Sequence, residues 1–114
     1  MDDCIFCRIV SGDIPSDVVY RDEYVTAFRD IEPMAPAHIL VVPNEHLAST
    51  DDLEERHEAA MGRLLRATSV IARQEGISDF GYRLTINTGR NANQLVPHLH
   101  LHLMGGRQFG WPPG

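Results

Sequence analysis

The sequence predicts an α+β domain built on an antiparallel sheet of about five strands, with one long helix and one short one. Three features point there. Strand-like segments follow one another along the chain, interrupted by a single long helical insertion. That insertion carries apolar residues at helical spacing. Near the end comes a run of strict alternation, His98-Leu99-His100-Leu101-His102-Leu103-Met104, which is the period of a strand with two unlike faces.

The elements read in order. Cys4 to Ser11 is predicted as a short helix, stopped by Gly12 and by Pro15. Val18–Tyr20 and Tyr24–Phe28 flank the polar Arg21-Asp22-Glu23 and read as a hairpin. A loop with Pro33 and Pro36 leads to an apolar strand, Ile39–Val42, ended by Pro43. Asp51-Asp52-Leu53-Glu54 has the form of a capping box and is expected to open the long helix. Leu53, His57, Met61, Leu64, Thr68 and Ile71 form the buried stripe of that helix, and Gly76 ends it. Arg83–Asn87 and His98–Met104 are the last strands. The connection between them, Thr88 to Pro97, is longer than a hairpin needs and rich in Gly, Asn, Gln and Arg. Such a loop is suited to gripping phosphate oxygens.

Bulk properties narrow the function. With 114 residues the chain makes one domain, 1–114, of ordinary hydrophobic content at 43%. A net charge of −6 argues against nucleic-acid binding, which needs a basic surface. Met1-Asp2-Asp3 opens acidic and no apolar stretch approaches membrane length, so no leader and no membrane association are expected, and the chain reads as cytoplasmic. The two cysteines, Cys4 and Cys7, are spaced C-x-x-C, which in a reducing compartment suggests metal or redox chemistry more than a staple.

The alternating run carries the chemistry. Leu99, Leu101 and Leu103 are expected to face a core while His98, His100 and His102 share the other face. Imidazole titrates near neutrality, so the array reads either as a metal ladder or as an acid–base and nucleophile array. The run matches the signature of the histidine triad (HIT) family, and the resemblance extends along the chain. Cys4 to Pro15 looks like that family's opening helix, Ala27 to Ile31 like its nucleoside-pocket strand, and Pro36 to Pro43 like the next one. Gly105 to Gly114 resembles the tail of the family's Hint branch.

The resemblance implies a HIT fold whose sheets join across a two-fold homodimer, and a purine nucleotide substrate attacked at its α-phosphate. His100 would be the nucleophile, forming a covalent nucleotidyl-histidine intermediate, so its other ring nitrogen should donate to a backbone carbonyl near the first histidine. His98 and His102 would donate to phosphate oxygens or the leaving group, with His38 as a fourth member. Ile5, Phe6, Ile9, Ile14, Phe28 and Ile31 would line the purine site, and Asp30 would accept from the ribose hydroxyls. Asn87 and Gln94 match polar positions around the phosphate. Some bacterial members pair an N-terminal C-x-x-C with zinc, which here implies Cys4, Cys7, His46 and His98 as a closed, structural set. The tail, 107–114, would reach the dimer partner's site.

Two departures stand out. Leu95 replaces a hydroxyl residue usual in the Hint branch, and Pro97 replaces an aromatic one common in animal members. The main expectation from the resemblance as a whole is hydrolysis of purine nucleoside phosphoramidates or related nucleotide conjugates. Dinucleoside polyphosphate hydrolysis and a nucleotide- or zinc-binding regulatory module are the alternatives.

Overall fold

The computed structural model describes residues 3–114, so Met1 and Asp2 of the acidic opening lie outside the described residues. A short helix α1 (Ile5–Ser11) precedes a hairpin of β1 (Val18–Arg21) and β2 (Val25–Arg29). Strand β3 (Ala37–Pro43), helix α2 (Glu58–Gln74), β4 (Tyr82–Ile86) and β5 (Leu101–Gly105) follow. The five strands form one antiparallel sheet in the order β1-β2-β3-β5-β4.

Each face of the sheet is covered by one helix. Val25, Ala27, Ile39, Val41, Leu101 and Leu103 pack with Leu64, Ala67 and Ile71 of α2. On the other face Phe28, Leu40 and Val42 pack against Phe6 and Ile9 of α1. Every residue of β3 is buried, which explains its near-continuous apolar sequence. The bidentate pair from Arg29 to Glu75, at 2.8 and 2.9 Å, ties the end of β2 to the end of α2.

Helix α1 begins as expected: Cys4 is its N-cap, and Gly12, at φ 87°, supplies the left-handed C-cap. The long helix begins later than the sequence suggests. Thr50–Asp52 and Glu55–His57 form two separate 3-10 turns, and extended backbone at Leu53 interrupts the path. Ser49 caps the first turn, and the Nδ1 of His57 accepts the Glu54 N–H at 2.8 Å. A histidine in that role lies outside the usual capping-box pattern, so the sequence signal falls on the wrong turn. The stripe from Leu53 to Ile71 still faces the core, with His57, Leu64, Thr68 and Ile71 fully buried.

Strand β5 is shorter than the alternating run. His98, Leu99 and His100 precede the ladder, whose first pairs are Val41↔Leu101 and Ile86↔Leu101. The physical cause lies in β3. Pro43 has no N–H to offer, and its carbonyl is taken by the ring of His98 at 3.0 Å. The Leu99 N–H turns instead to the Leu47 carbonyl. The alternation of faces survives: Leu99, Leu101 and Leu103 belong to the α2-side core.

Candidate active site and metal centre

Register builds the site. Phe28 pairs with Leu40, and Leu40 pairs with His102, so those three side chains share one face. Two residues along each strand, parity puts Asp30 and His38 on that same face. His38 and His102 are diagonal neighbours, with ring centroids 5.2 Å apart. His100 lies next to His102 at 5.1 Å. Phe6 of α1 covers the row, edge-on to His98 at 5.9 Å and to His100 at 5.1 Å. His98 is 0% exposed and His100 7%, so α1 roofs the His98–His100 end of the row, while His102 and Asp30 remain half-buried.

Hydrogen bonds assign the ring protons. The Nδ1 of His100 lies 2.8 Å from the His98 carbonyl. A carbonyl only accepts, so Nδ1 carries the hydrogen and Nε2 keeps its lone pair. This is the arrangement expected of a nucleophile. For His38, the Met34 N–H donates to Nδ1 at 3.0 Å, so the proton sits on Nε2. That Nε2 lies 2.9 Å from the Nδ1 of His102 and donates to it, which leaves His102 with Nε2–H. The side chain of Asp30 stands 3.5 Å from the same Nε2 of His38 and accepts the Glu32 N–H at 2.9 Å. A lone pair on His100 therefore stands beside a donor on His102.

Burial keeps the donors neutral. It pushes the His102 imidazole down to about 4, helped by the neighbouring His100 and His38. Burial lowers His38 too, against the pull of Asp30.

His98 departs from the expected role. Its Nε2–H is used by Pro43, so Nδ1 presents a lone pair, 3.3 Å from Cys4 Sγ and 3.5 Å from Cys7 Sγ. It therefore does not offer a ring donor to a phosphate; its contribution to His100 is its carbonyl. His46 Nδ1 completes the group, 3.3 Å from Cys7 Sγ and 3.2 Å from His98 Nδ1. With zinc–sulfur bonds of about 2.3 Å and zinc–nitrogen bonds of about 2.0 Å, a tetrahedral site has S···N edges of about 3.5 Å and N···N edges of about 3.3 Å. The four residues Cys4, Cys7, His46 and His98 fit that size. Outer-shell donation from His98 to Pro43 fits as well, because it fixes the tautomer a metal requires. Burial and the neighbouring Cys4 push the Cys7 thiol up to about 11, a repulsion that a central cation would relieve.

A second group, Asp30, His38 and His102, also lies within metal-binding distance. Its chemistry is different. The far nitrogen of His38 accepts from Met34 instead of donating, so Nε2 holds a proton where a metal would need a lone pair. Three triad histidines do not form a metal ladder: His98 turns to the cysteines, His100 to the His98 carbonyl and His102 to His38.

The remaining expected residues divide. Phe6, Ile9 and Phe28 are packed core, Ile14 is half-buried, and Ile5 and Ile31 are exposed, Ile31 at 92%. Asn87 is half-buried just after β4. Gln94 is turned inward: its amide donates to the Ala48 and Val96 carbonyls at 2.7 and 3.0 Å, and its oxygen accepts the Gly89 N–H. It braces the loop before the triad rather than presenting a donor. Leu95 projects outward, 82% exposed. The tail folds back on its own chain as far as Gly110, with Phe109 between the guanidinium groups of Arg83 and Arg107. The groups that set each tautomer are backbone ones, at Met34, Pro43 and His98, and no side-chain pattern announces them.

A family model described as the HIT domain matches residues 11–109. The chain is 50% identical over 109 residues to the purine nucleoside phosphoramidase of Escherichia coli (strain K12), covering 96% of this chain and 92% of that protein. It is 52% identical over 112 residues to a 14 kDa zinc-binding protein of Zea mays, covering 96% and 87%. The crystal structure of a HIT family hydrolase from Legionella pneumophila superposes with a TM-score of 0.96 at 44% identity, over 98% of this chain and 100% of that one.

Proposed function

The chain belongs to the HIT family, and from that premise we propose that it is a hydrolase of purine nucleoside 5′-phosphoramidates or related nucleotide conjugates. The named activity of the half-identical Escherichia coli relative supports the substrate class. The observation that carries the chemistry is the bond from His100 Nδ1–H to the His98 carbonyl, which leaves Nε2 free to attack phosphorus.

The reaction then has two displacements at the α-phosphorus. In the first, a bond forms from His100 Nε2 to phosphorus and the phosphorus–nitrogen bond breaks. The leaving nitrogen takes one proton from solvent and departs as the amine. In the second, water oxygen bonds to phosphorus, the bond to His100 breaks, and water's proton returns to solvent. The Nε2–H of His102 donates to a phosphoryl oxygen or the leaving atom, and His38 holds it in that state. The positive charge on the nucleotidyl-imidazole is stabilised by its bond to the His98 carbonyl.

Ile5, Ile14 and Ile31 offer an apolar surface for the base, backed by Phe6, Ile9 and Phe28. Asp30 keeps acceptor capacity for the ribose hydroxyls, and Asn87, just after β4, would be a polar contact for the phosphate. Zinc held by Cys4, Cys7, His46 and His98 supplies a structural cross-link between α1 and the start of the triad. Assembly as a homodimer is supported by β4, an edge strand with Leu84 and Ile86 exposed; the tail beyond Gly110, with Trp111 83% exposed, would then contribute to the partner's site. The enzyme's thiols stay reduced in the cytoplasm.

The test is turnover of an adenosine phosphoramidate beside diadenosine polyphosphates, with His100→Ala as the variant. We expect the phosphoramidate to be cleaved, and the variant to lose turnover by orders of magnitude while binding adenosine monophosphate with little change. Near-native turnover by the variant would exclude His100 as nucleophile. Light scattering should give twice the chain mass; a monomer at working concentration would remove the dimer from the reading.

A further inference from the structure

We infer that Arg107, outside the triad and in the C-terminal tail, is a positioning residue that sets the proton arrangement of His38 and through it the donor nitrogen of His102. For its kinetic consequence this rests on the reading above; for the proton arrangement itself it does not.

The chain of contacts is continuous. The Nε–H of Arg107 donates to the Met34 carbonyl at 2.9 Å. The N–H of the same Met34 donates to His38 Nδ1 at 3.0 Å, and His38 Nε2 meets His102 Nδ1 at 2.9 Å. Asp30 still donates its N–H to the His38 carbonyl at 3.0 Å, but the segment from Ile31 to Pro36 that carries Met34 lies outside the sheet ladder and is exposed except at Ala35, so ladder hydrogen bonds do not hold it. It is held at its start by the turn from Asp30 Oδ1 to the Glu32 N–H. At its end, Gly106 sits against Pro36 so closely that a Cβ there would lie 2.9 Å from the proline Cβ. Between those points, Arg107 grips Met34. The guanidinium is itself fixed, stacked 4.1 Å from the Phe109 ring centroid, with Arg83 on that ring at 5.1 Å and bonded to the Gly110 carbonyl.

The His38–His102 bond has two possible polarities, which makes this grip consequential. With the Met34 N–H in place, His38 Nδ1 must accept, so Nε2–H donates and His102 is left with Nε2–H. If Met34 turns its N–H to water, His38 Nδ1 is free to take the proton. His38 Nε2 then accepts, His102 Nδ1 donates, and His102 Nε2 presents a lone pair. The donor at the reacting centre is lost without any residue of the triad moving. Asp30, 3.5 Å from His38 Nε2, favours the first polarity, and His100 is the other titratable neighbour of His102.

The experiment uses the full zinc-loaded chain labelled with nitrogen-15 at histidine. In the wild type, long-range proton–nitrogen correlations should show His38 protonated at Nε2 and bare at Nδ1. In Arg107→Ala the His38 pattern should shift toward the opposite or a mixed tautomer, whereas Arg107→Lys, which keeps a cationic donor for the Met34 carbonyl, should hold it. In kinetics with an adenosine phosphoramidate, Arg107→Ala should lower kcat roughly fivefold with KM little changed. The same change made in a His38→Ala background should have no further effect, because the route through His38 is already cut. An unchanged His38 tautomer in Arg107→Ala, or a kcat loss that persists without His38, would overturn the assignment. Should the wild type fail to turn over phosphoramidate at all, the function reading falls while the tautomer comparison still decides this one.

Discussion

At the scale of single residues, histidines of one chemical type are sorted into three roles by what each far nitrogen touches. A carbonyl at the far side makes the near nitrogen a lone pair, as for His98 with Pro43 and His100 with its neighbour's backbone. An amide N–H at the far side makes it a donor, as for His38 with Met34. One consequence is readable in pH. Burial lowers His102 from an ordinary 6.5 to about 4 in the folded chain. Between those values the unfolded chain binds the proton and the folded one does not, so the native state is favoured fully above pH 6.5 and progressively less as pH falls toward 4. His102→Gln removes that titration. Denaturant midpoints of the variant should fall less between pH 7 and pH 5 than those of the wild type, and parallel curves would contradict the burial argument.

At the scale of elements, α1 and the segment from His98 to His100 behave as one unit. Helix α1 has only seven residues, too short to be stable alone, yet it roofs the reacting face. Cys4 and Cys7 at its N-terminal turn, with His46 and His98, offer the cross-link that compensates. Metal analysis of the purified chain should therefore find one zinc per chain, and Cys4→Ala should hold less and melt at a lower temperature. Less than one equivalent in the wild type would remove the site. The turn after β5 is equally constrained. Gly106 has φ of 92° and no room beside Pro36, so Gly106→Ala should cost about 1–3 kcal/mol in chemical denaturation. A loss below a few tenths would mean that the turn relaxes freely.

At the scale of the whole molecule, the sheet separates stability from chemistry by face. The α2 side holds the larger apolar cluster, and Ile71→Ala there should destabilise by about 2–5 kcal/mol while leaving the geometry of the other face intact. A comparable loss of turnover at a temperature where that variant remains folded would show the faces to be coupled. Much of this architecture is legible in residue pattern. Five strands, the order of elements, Gly12 as a stop and the apolar stripe from Leu53 to Ile71 follow from periodicity and capping chemistry. Boundaries are less so: α2 starts at Glu58 because Leu53 is extended, and β5 starts at Leu101 because Pro43 has no N–H for a longer ladder.

Residue types and their spacing alone marked out three histidines alternating with leucines and a pair of cysteines three apart, and thereby the kind of chemistry the chain carries. Which nitrogen holds a proton was decided only in the folded molecule. That property depends on whether a carbonyl or an N–H, contributed by Pro43, His98 or Met34, lies within 3.0 Å of the opposite ring atom. Backbone groups are the same at every residue, so their placement is a matter of register and turn geometry, and long-range packing fixes both.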